Sequence, residues 1–497
     1  MKDASFLISP SILKRYYSRG FTVPLAVQFE GHQDFWQVAK RAVLSAENAF
    51  FLDSVKYQKN TARYSVLGWK PFRIFKARDS KHIISKLRKL FQPYRGRKWD
   101  ELPFFTGGAV GYFSYELAHE FEVFPDLAKD DLGLDQAALL FIRDLLVYDH
   151  KKNIYFLIAN LIPAKDGSFD LAFKRAYSAI CDMGRSVPGT AGTERNGHFT
   201  IRNFKSDSSK QVFKRMVLRA KKYITAGDIY QANLSQRFSF KFKGRPETLY
   251  ESLRKINPSP FSTFLKIGSL VVASASPERL IKLDGNVCET RPIAGTRPRG
   301  ETAAQEKRFR RDLMMSPKER AEHIMLVDLE RNDLGRVSAP HSVRVSELMT
   351  LESYSHVVHI VSNVIGRLKK GQDRFDLLRA VFPGGTITGC PKIRSMEIIE
   401  ELEPFKRHLY TGSIGYLDFN GDMDLNIVIR SLILHRNHGY LQVGAGIVHD
   451  SNPEAEYWET LHKGKALIDA LCTSSLRAKR SNLSSQIASS SLRDSSQ

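Results

Sequence analysis

Gly444-Ala-Gly-Ile-Val-His-Asp-Ser-Asn-Pro-Glu-Ala-Glu-Tyr-Trp-Glu-Thr-Leu-His-Lys463 reads as the end of a strand running into a helix. Leu441 to Val448 is apolar and glycine-bearing. Ser451 or Asn452 suits a helix cap, and Pro453 suits the first helical position. Beyond Pro453 only Gly464 interrupts the run to Leu471. Glu456 and Glu459 are three residues apart and share a helix face, with Lys463 four residues further on. Two carboxylates and an ammonium beside a glycine-rich strand end suit a hard cation held against an anion. The same spacing also describes a solvated helix face with an i,i+4 ion pair.

Other stretches add to the first reading. Ser316-Pro-Lys-Glu319 is a capping box, with proline at the first helical position. It opens a helix that carries a third carboxylate, Glu322. Phe382 to Pro391 is a glycine-rich loop feeding a helix with Lys392 in its first turn, where backbone N–H groups bind anions. The order Gly384-Gly-Thr-Ile-Thr-Gly-Cys-Pro-Lys392 departs from a nucleotide phosphate loop. It fits a small anion such as a carboxylate, or a purely structural turn. Arg430 ends a strand whose Asn426-Ile-Val-Ile run is otherwise apolar. Buried there, it needs an anionic partner, either bound or internal. His359 lies in the β-type run His356 to Ser362. It is a core hydrogen-bonder, or a general acid if it faces a pocket. Taken together, these pieces predict Mg²⁺ held by glutamates against a substrate that carries carboxylates, near an acid or base.

The chain has 497 residues, of which 42% are hydrophobic, enough for a large core in two or more domains or one composite domain. Four cysteines without a C-x-x-C pair argue against a disulfide framework or a cysteine zinc site. The N-terminal composition is unlike a signal peptide, and no apolar run approaches the ~20 residues of a membrane span. A cytoplasmic protein away from membranes is predicted. The net charge of +22 admits an anionic substrate or a nucleic acid. The basic residues are dispersed and no zinc-finger, RNA-recognition or helix-turn-helix signature is present, so a nucleic-acid-binding protein is the non-enzymatic alternative and no nucleic-acid partner is expected.

Along the chain, Asn48 to Ser54, Arg63 to Trp69 and Gly107 to Tyr115 read as strands, and Leu139 to Asp149 with Asn153 to Ile162 as a buried hairpin. Residues 1–183 form an N-terminal region and 184–200 a Gly/Ser/Thr-rich linker. Residues 201–472 form the second region, and 473–497 a Ser/Arg-rich tail predicted to be disordered.

Arg291-Pro-Ile-Ala-Gly-Thr-Arg-Pro-Arg-Gly300, Glu322-His-Ile-Met-Leu-Val-Asp-Leu-Glu-Arg-Asn-Asp-Leu-Gly335 and the two glycine-rich stretches resemble the chorismate-utilising enzymes. The likeness is dense from Lys210 to Leu471 and weaker before it. It implies an α+β fold of the anthranilate synthase component I kind: two packed antiparallel β-sheets with flanking helices, built from both parts of the chain. It also implies that Glu322 and Glu459, with Glu456 beside them, hold Mg²⁺. By the same resemblance, Tyr410 and Arg430 grip the enolpyruvyl carboxylate of chorismate, helped by backbone N–H groups near Gly444, and Lys463 lies by the ring carboxylate. His359 and Thr386 flank the reacting ring, and Glu278 is the candidate acid for the departing hydroxyl.

Within that family, Tyr230-Gln-Ala-Asn-Leu-Ser-Gln236, Gly421 to Arg430, Leu351-Glu-Ser-Tyr354 and Pro453-Glu-Ala-Glu456 are similar to aminodeoxychorismate synthases. The resemblance then implies amination at C4 to 4-amino-4-deoxychorismate for p-aminobenzoate and folate synthesis. A separate glutamine amidotransferase subunit would supply the ammonia. Ala294 points to the alternative, anthranilate synthase component I, because well-studied aminodeoxychorismate synthases carry a nucleophilic lysine there. Leu52-Asp-Ser54 and Asn257 to Ser262 match the inhibitor-binding pattern of tryptophan-regulated members only in part.

Overall fold

The computed structural model describes residues 6–31, 34–55, 63–78, 81–186, 197–354 and 357–474. Most of the expected linker and the tail from residue 475 lie outside them. Among the described residues, every paired strand belongs to one of two antiparallel sheets, of twelve and ten strands. The expected α+β architecture is present.

Each sheet is sewn from both parts of the chain. In the larger one, Asn48–Asp53 pairs with Phe261–Ile267 in the register Ser262↔Asp53 to Ile267↔Asn48. In the smaller one, Gly108–Phe113 pairs with Ser413–Asp418, from Ser413↔Phe113 to Asp418↔Gly108. Side chains alternate across a strand, and here both faces are covered, so strands read as continuous apolar runs. In Asp144–Asp149, Leu145 and Val147 enter the core between the sheets, with Val110, Leu140 and Val272. Leu146 and Tyr148 enter the core on the outer face, under the helices. A second outer core, with Val327, Leu378 and Met396, covers the smaller sheet.

Burial on both faces hides where a strand changes sheet. The run expected as one strand, Leu139 to Asp149, is two. Ala137–Ile142 lies in the smaller sheet, and Asp144–Asp149 pairs with Ile154–Leu161 in the larger. The break falls at Arg143, whose guanidinium pairs with Asp166 at 2.8 Å. The hairpin expectation therefore holds for the second piece only. The expected capping box is half made: the Ser316 hydroxyl accepts from the Glu319 N–H at 3.4 Å, but the Glu319 carboxylate pairs with Arg297 at 3.0 Å. Leu52–Ser54 and the end of the Asn257 to Ser262 stretch, Pro260 to Ser262, line one cavity of about 220 Å³ together with Tyr64, Phe104 and Tyr416.

The opening stretch folds as read. The strand His438–Ile447 leads into the helix Pro453–Ser474. The Asn452 side chain caps that helix, accepting from the N–H groups of Glu454 and Ala455 at 2.9 and 3.1 Å.

Candidate active site

Two neighbouring sheet crossings carry Glu278 and Arg430. The strand Leu270–Ser276 belongs to the larger sheet and Arg279–Asp284 to the smaller. The chain steps between them at Ser276-Pro-Glu278. It steps back between Met423–Asn426 and Ser431–His435. The Ile427 N–H donates to the Glu278 carbonyl at 3.0 Å, and the Ser276 hydroxyl donates to the Ile427 carbonyl at 2.5 Å. The two crossings are thus locked side by side.

Arg430 departs from expectation. The sequence places it at a buried strand end with an anionic partner, bound or internal. It is half-buried in a left-handed turn at φ 54°, which lifts it out of the sheet. Its guanidinium donates to the Lys463 carbonyl, tying the crossing to the helix Pro453–Ser474. Among the described residues no carboxylate pairs with it. Burial lowers its pKa from the usual guanidinium value, while Tyr410 and Glu459 stand close enough to oppose that electrostatically. A desolvated guanidinium whose one side-chain bond goes to a neutral carbonyl is well placed for an external anion.

Tyr410 is buried, and burial raises its phenol pKa. Gly444 faces it: a Cβ there would stand 2.7 Å from the Tyr410 hydroxyl, 2.6 Å from Asn233 Oδ1 and 2.8 Å from the Leu234 carbonyl. Only hydrogen fits between these groups. Asn233 Nδ2 donates to the Thr386 carbonyl at 3.3 Å, and among the described residues its buried Oδ1 has no donor. The Thr386 hydroxyl is likewise buried without a well-aligned partner. It lies against the Glu278 carboxyl.

Glu278 is 5% exposed, and its Oε1 accepts from the Ile293 N–H at 3.4 Å. Burial pushes the carboxyl up to about 8, outweighing the Thr386 hydroxyl and the Ile293 N–H, which favour the charged form. At neutral pH it holds a proton, as a general acid requires.

His359 is also buried, on the strand Val357–Arg367. Its Nδ1 lies 2.9 Å from the Thr296 hydroxyl and 3.2 Å from the Gly295 carbonyl. The carbonyl can only accept, so Nδ1 carries the hydrogen and Nε2 keeps its lone pair. Burial lowers the imidazole to about 4, helped by the Arg430 and Lys463 charges. The ring is therefore neutral at pH 7, and its Nε2 can accept a hydrogen bond.

Three carboxylates lie toward Lys463. Glu322 is half-buried on the helix Pro317–Gly335, and Gln231 Nε2 donates to its Oε1 at 3.0 Å. Glu456 is buried with Ser451 beside its carboxyl, and among the described residues its Oε2 has no well-aligned partner. Burial raises the pKa of both carboxyls, Lys463 and Lys318 draw both down, and the Glu459 charge raises Glu456 further. Glu459 is exposed and pairs with Lys463 at 2.8 Å, the i,i+4 bridge that the spacing allowed. Among the described residues no three acidic, histidine or cysteine side chains close into a ready cluster. Mg²⁺ commonly takes one or two carboxylates and completes its shell with water and substrate oxygens. Glu456, with an orphaned buried oxygen, and Glu322, with one oxygen held by Gln231, fit that need.

Lys392 has a structural role. Its ammonium is taken by the Asp333 carboxylate and by the Val381 carbonyl at 2.9 Å, so it does not face the loop as an anion site. Gln231 and Asn233 went unassigned in the sequence, although their signal was there. Gln231, Asn233 and Ser235 put polar side chains at every second position of a mostly buried strand, Gln231–Gly244. Polar alternation in a core strand marks a face that meets something polar.

Residues 47–469 match the chorismate binding enzyme family. The chain belongs to that family, and it is a chorismate-utilising enzyme of the anthranilate synthase and aminodeoxychorismate synthase type. It is 41% identical over 444 residues to anthranilate synthase component 1 of Acetivibrio thermocellus, covering 85% of this chain and 90% of the relative. It is 40% identical over 451 residues to aminodeoxychorismate synthase component 1 of Bacillus subtilis, covering 88% and 94%. The crystal structure of anthranilate synthase component I from Streptococcus pneumoniae superposes with a TM-score of 0.74 at 34% identity, over 83% of this chain and 93% of that one. Membership among these enzymes decides against the non-enzymatic reading of the charge.

Gly444→Ala is expected to raise the KM for substrate roughly 10- to 100-fold, because its methyl must displace Tyr410 or Asn233 and small misplacements are costly. Steady-state kinetics with a thermal melt checks this. An unchanged KM would show that the Tyr410 cradle does not touch substrate.

Proposed function

We propose that the protein aminates chorismate at C4, giving 4-amino-4-deoxychorismate for p-aminobenzoate and folate synthesis. The observation that supports amination with loss of the C4 hydroxyl is Glu278, a buried carboxyl that holds its proton at neutral pH on a crossing hydrogen-bonded to the one bearing Arg430. The likeness of Tyr230 to Gln236, Leu351 to Tyr354, Gly421 to Arg430 and Pro453 to Glu456 to aminodeoxychorismate synthases directs the nitrogen to C4. Tyr410 and Arg430 bind the enolpyruvyl carboxylate, with the Gly444 backbone beside them. Lys463 binds the ring carboxylate, exchanging its bridge to Glu459 for the substrate. Glu322, Glu456 and Glu459 are the residues that would hold Mg²⁺. When bound, that ion neutralises the ring carboxylate and stabilises charge that develops on the ring.

In the reaction the C4–O bond breaks and a C4–N bond forms. Glu278 gives its proton to the departing oxygen, which leaves as water, and Thr386 orients that carboxyl. Neutral His359 offers its Nε2 lone pair as a hydrogen-bond acceptor to an N–H of the incoming ammonia, whose surplus proton returns to the Glu278 carboxylate once that group has protonated the leaving oxygen. A partner glutamine amidotransferase supplies the ammonia, as the component 1 names of the relatives suggest for their own assemblies. The cytoplasm suits cysteines that form no disulfide among the described residues, where no helix is long and apolar enough to cross a membrane.

Ala294 supports a second reading, amination at C2 with loss of pyruvate, as in anthranilate synthases. It sits on the strand Ile293–Pro298 opposite Ile360, next to His359, and offers only a methyl group. Amination at C4 here then needs ammonia or water as the first nucleophile. The purified chain is given chorismate, Mg²⁺ and ammonium at high pH, with and without aminodeoxychorismate lyase. The expected result is p-aminobenzoate only when the lyase is present. Anthranilate and pyruvate without the lyase would establish the second reading instead.

A further inference from the structure

Gln231 stands at the start of its strand, paired with Cys390 and 4% exposed. Its main chain is pinned. Its carbonyl accepts from the Ser395 hydroxyl at 3.0 Å and lies 2.1 Å from where a Cβ on Gly389 would stand. Its side chain is equally confined, since a Cβ on Gly446 would stand 2.3 Å from Nε2. From that slot Nε2 donates to Glu322 Oε1 at 3.0 Å. The amide cannot flip without setting its own oxygen against a carboxylate, so Glu322 fixes its orientation. The other end, Oε1, is buried with no donor among the described residues, an arrangement costly unless something meets it.

We infer that Gln231 is a positioning residue for the cation. Its amide holds one oxygen of Glu322 so that the other is presented at a set angle, and its Oε1 accepts a hydrogen bond from a water on the ion. Glutamate has three side-chain torsions, and fixing them before the ion arrives removes an entropic cost of binding. Residues that orient a ligand in this way typically govern metal affinity by about 10- to 100-fold. The inference rests on the metal role proposed for Glu322. The same geometry accounts for Gly446, which leaves the amide its space.

Mn²⁺ is the probe, titrated by electron paramagnetic resonance into the full chain with chorismate present and ammonium absent. Gln231→Met keeps the shape and removes the donor. Gly446→Ala keeps Gln231 but pushes its amide from the slot. Both are expected to weaken Mn²⁺ binding by ~10-fold or more, with turnover recovering at high Mg²⁺ and little change in the chorismate KM of Gln231→Met. If the unaltered chain binds no Mn²⁺, the metal reading of Glu322 fails and this inference falls with it. If the unaltered chain binds but both variants bind equally well, the metal site stands and Gln231 has no positioning role. A fall in melting temperature without a change in Mn²⁺ affinity would likewise reduce Gln231 to a structural residue.

Discussion

Glu278→Gln is expected to make the protein more stable and nearly inactive. Burial holds this carboxyl at about 8, against 4.5 for an ordinary glutamate. Between those values the unfolded chain has released the proton while the folded chain keeps it. Stability therefore falls as pH rises through that window and is unaffected below it. At about 1.4 kcal/mol per pH unit, the penalty at pH 7 is on the order of 3 kcal/mol. Glutamine has the same shape, still accepts from the Ile293 N–H and does not titrate, so the penalty disappears. Loss of the acid is expected to lower kcat by roughly 10²- to 10⁴-fold. Denaturant unfolding at pH 5 and pH 7.5, with kcat at each pH, separates the two effects. A variant whose stability keeps the parental pH slope would show that Glu278 is already ionised in the fold.

Glu322→Gln is expected to abolish Mg²⁺-dependent turnover, by about 10³-fold if the ion contributes some 4 kcal/mol to charge stabilisation. The amide oxygen can still accept from Gln231, so the fold should persist. What is lost is the charge that holds the cation. High Mg²⁺ should restore little, in contrast to the Gln231 variant, where the ligand remains and only its aim is lost. A Mg²⁺ titration of rate, with circular dichroism to verify folding, makes the comparison. Intact turnover with unchanged Mg²⁺ dependence would remove Glu322 from the metal site.

These expectations share an origin in burial. Glu278 and Glu456 pay desolvation costs that a stability-optimised core would not carry. Some buried charges elsewhere in the fold are compensated: Arg407 is 2% exposed and bonds to Glu403, the Ile387 carbonyl and the Asn233 carbonyl, and Lys392 meets Asp333. Compensation of this kind assigns Lys392 to the scaffold. It corrected the reading of Lys392.

Local patterns determined much by themselves. The spacing of Glu456, Glu459 and Lys463 placed them together on one helix, because helical geometry is set by neighbours three and four apart. The cap at Asn452 and the proline after it announced where that helix begins. Long motifs in one order carried the family. Tertiary structure alone decided what depends on distant contacts. The sheet changes at Arg143, at Ser276-Pro-Glu278 and before Arg430 leave no trace in hydropathy, because strands covered on both faces look alike in either sheet. The proton on Glu278, the neutral ring of His359 and the Gln231 amide on Glu322 also arise only when segments far apart in sequence exclude water together. Ionisation and aim are properties of an environment, and the environment exists only in the folded chain.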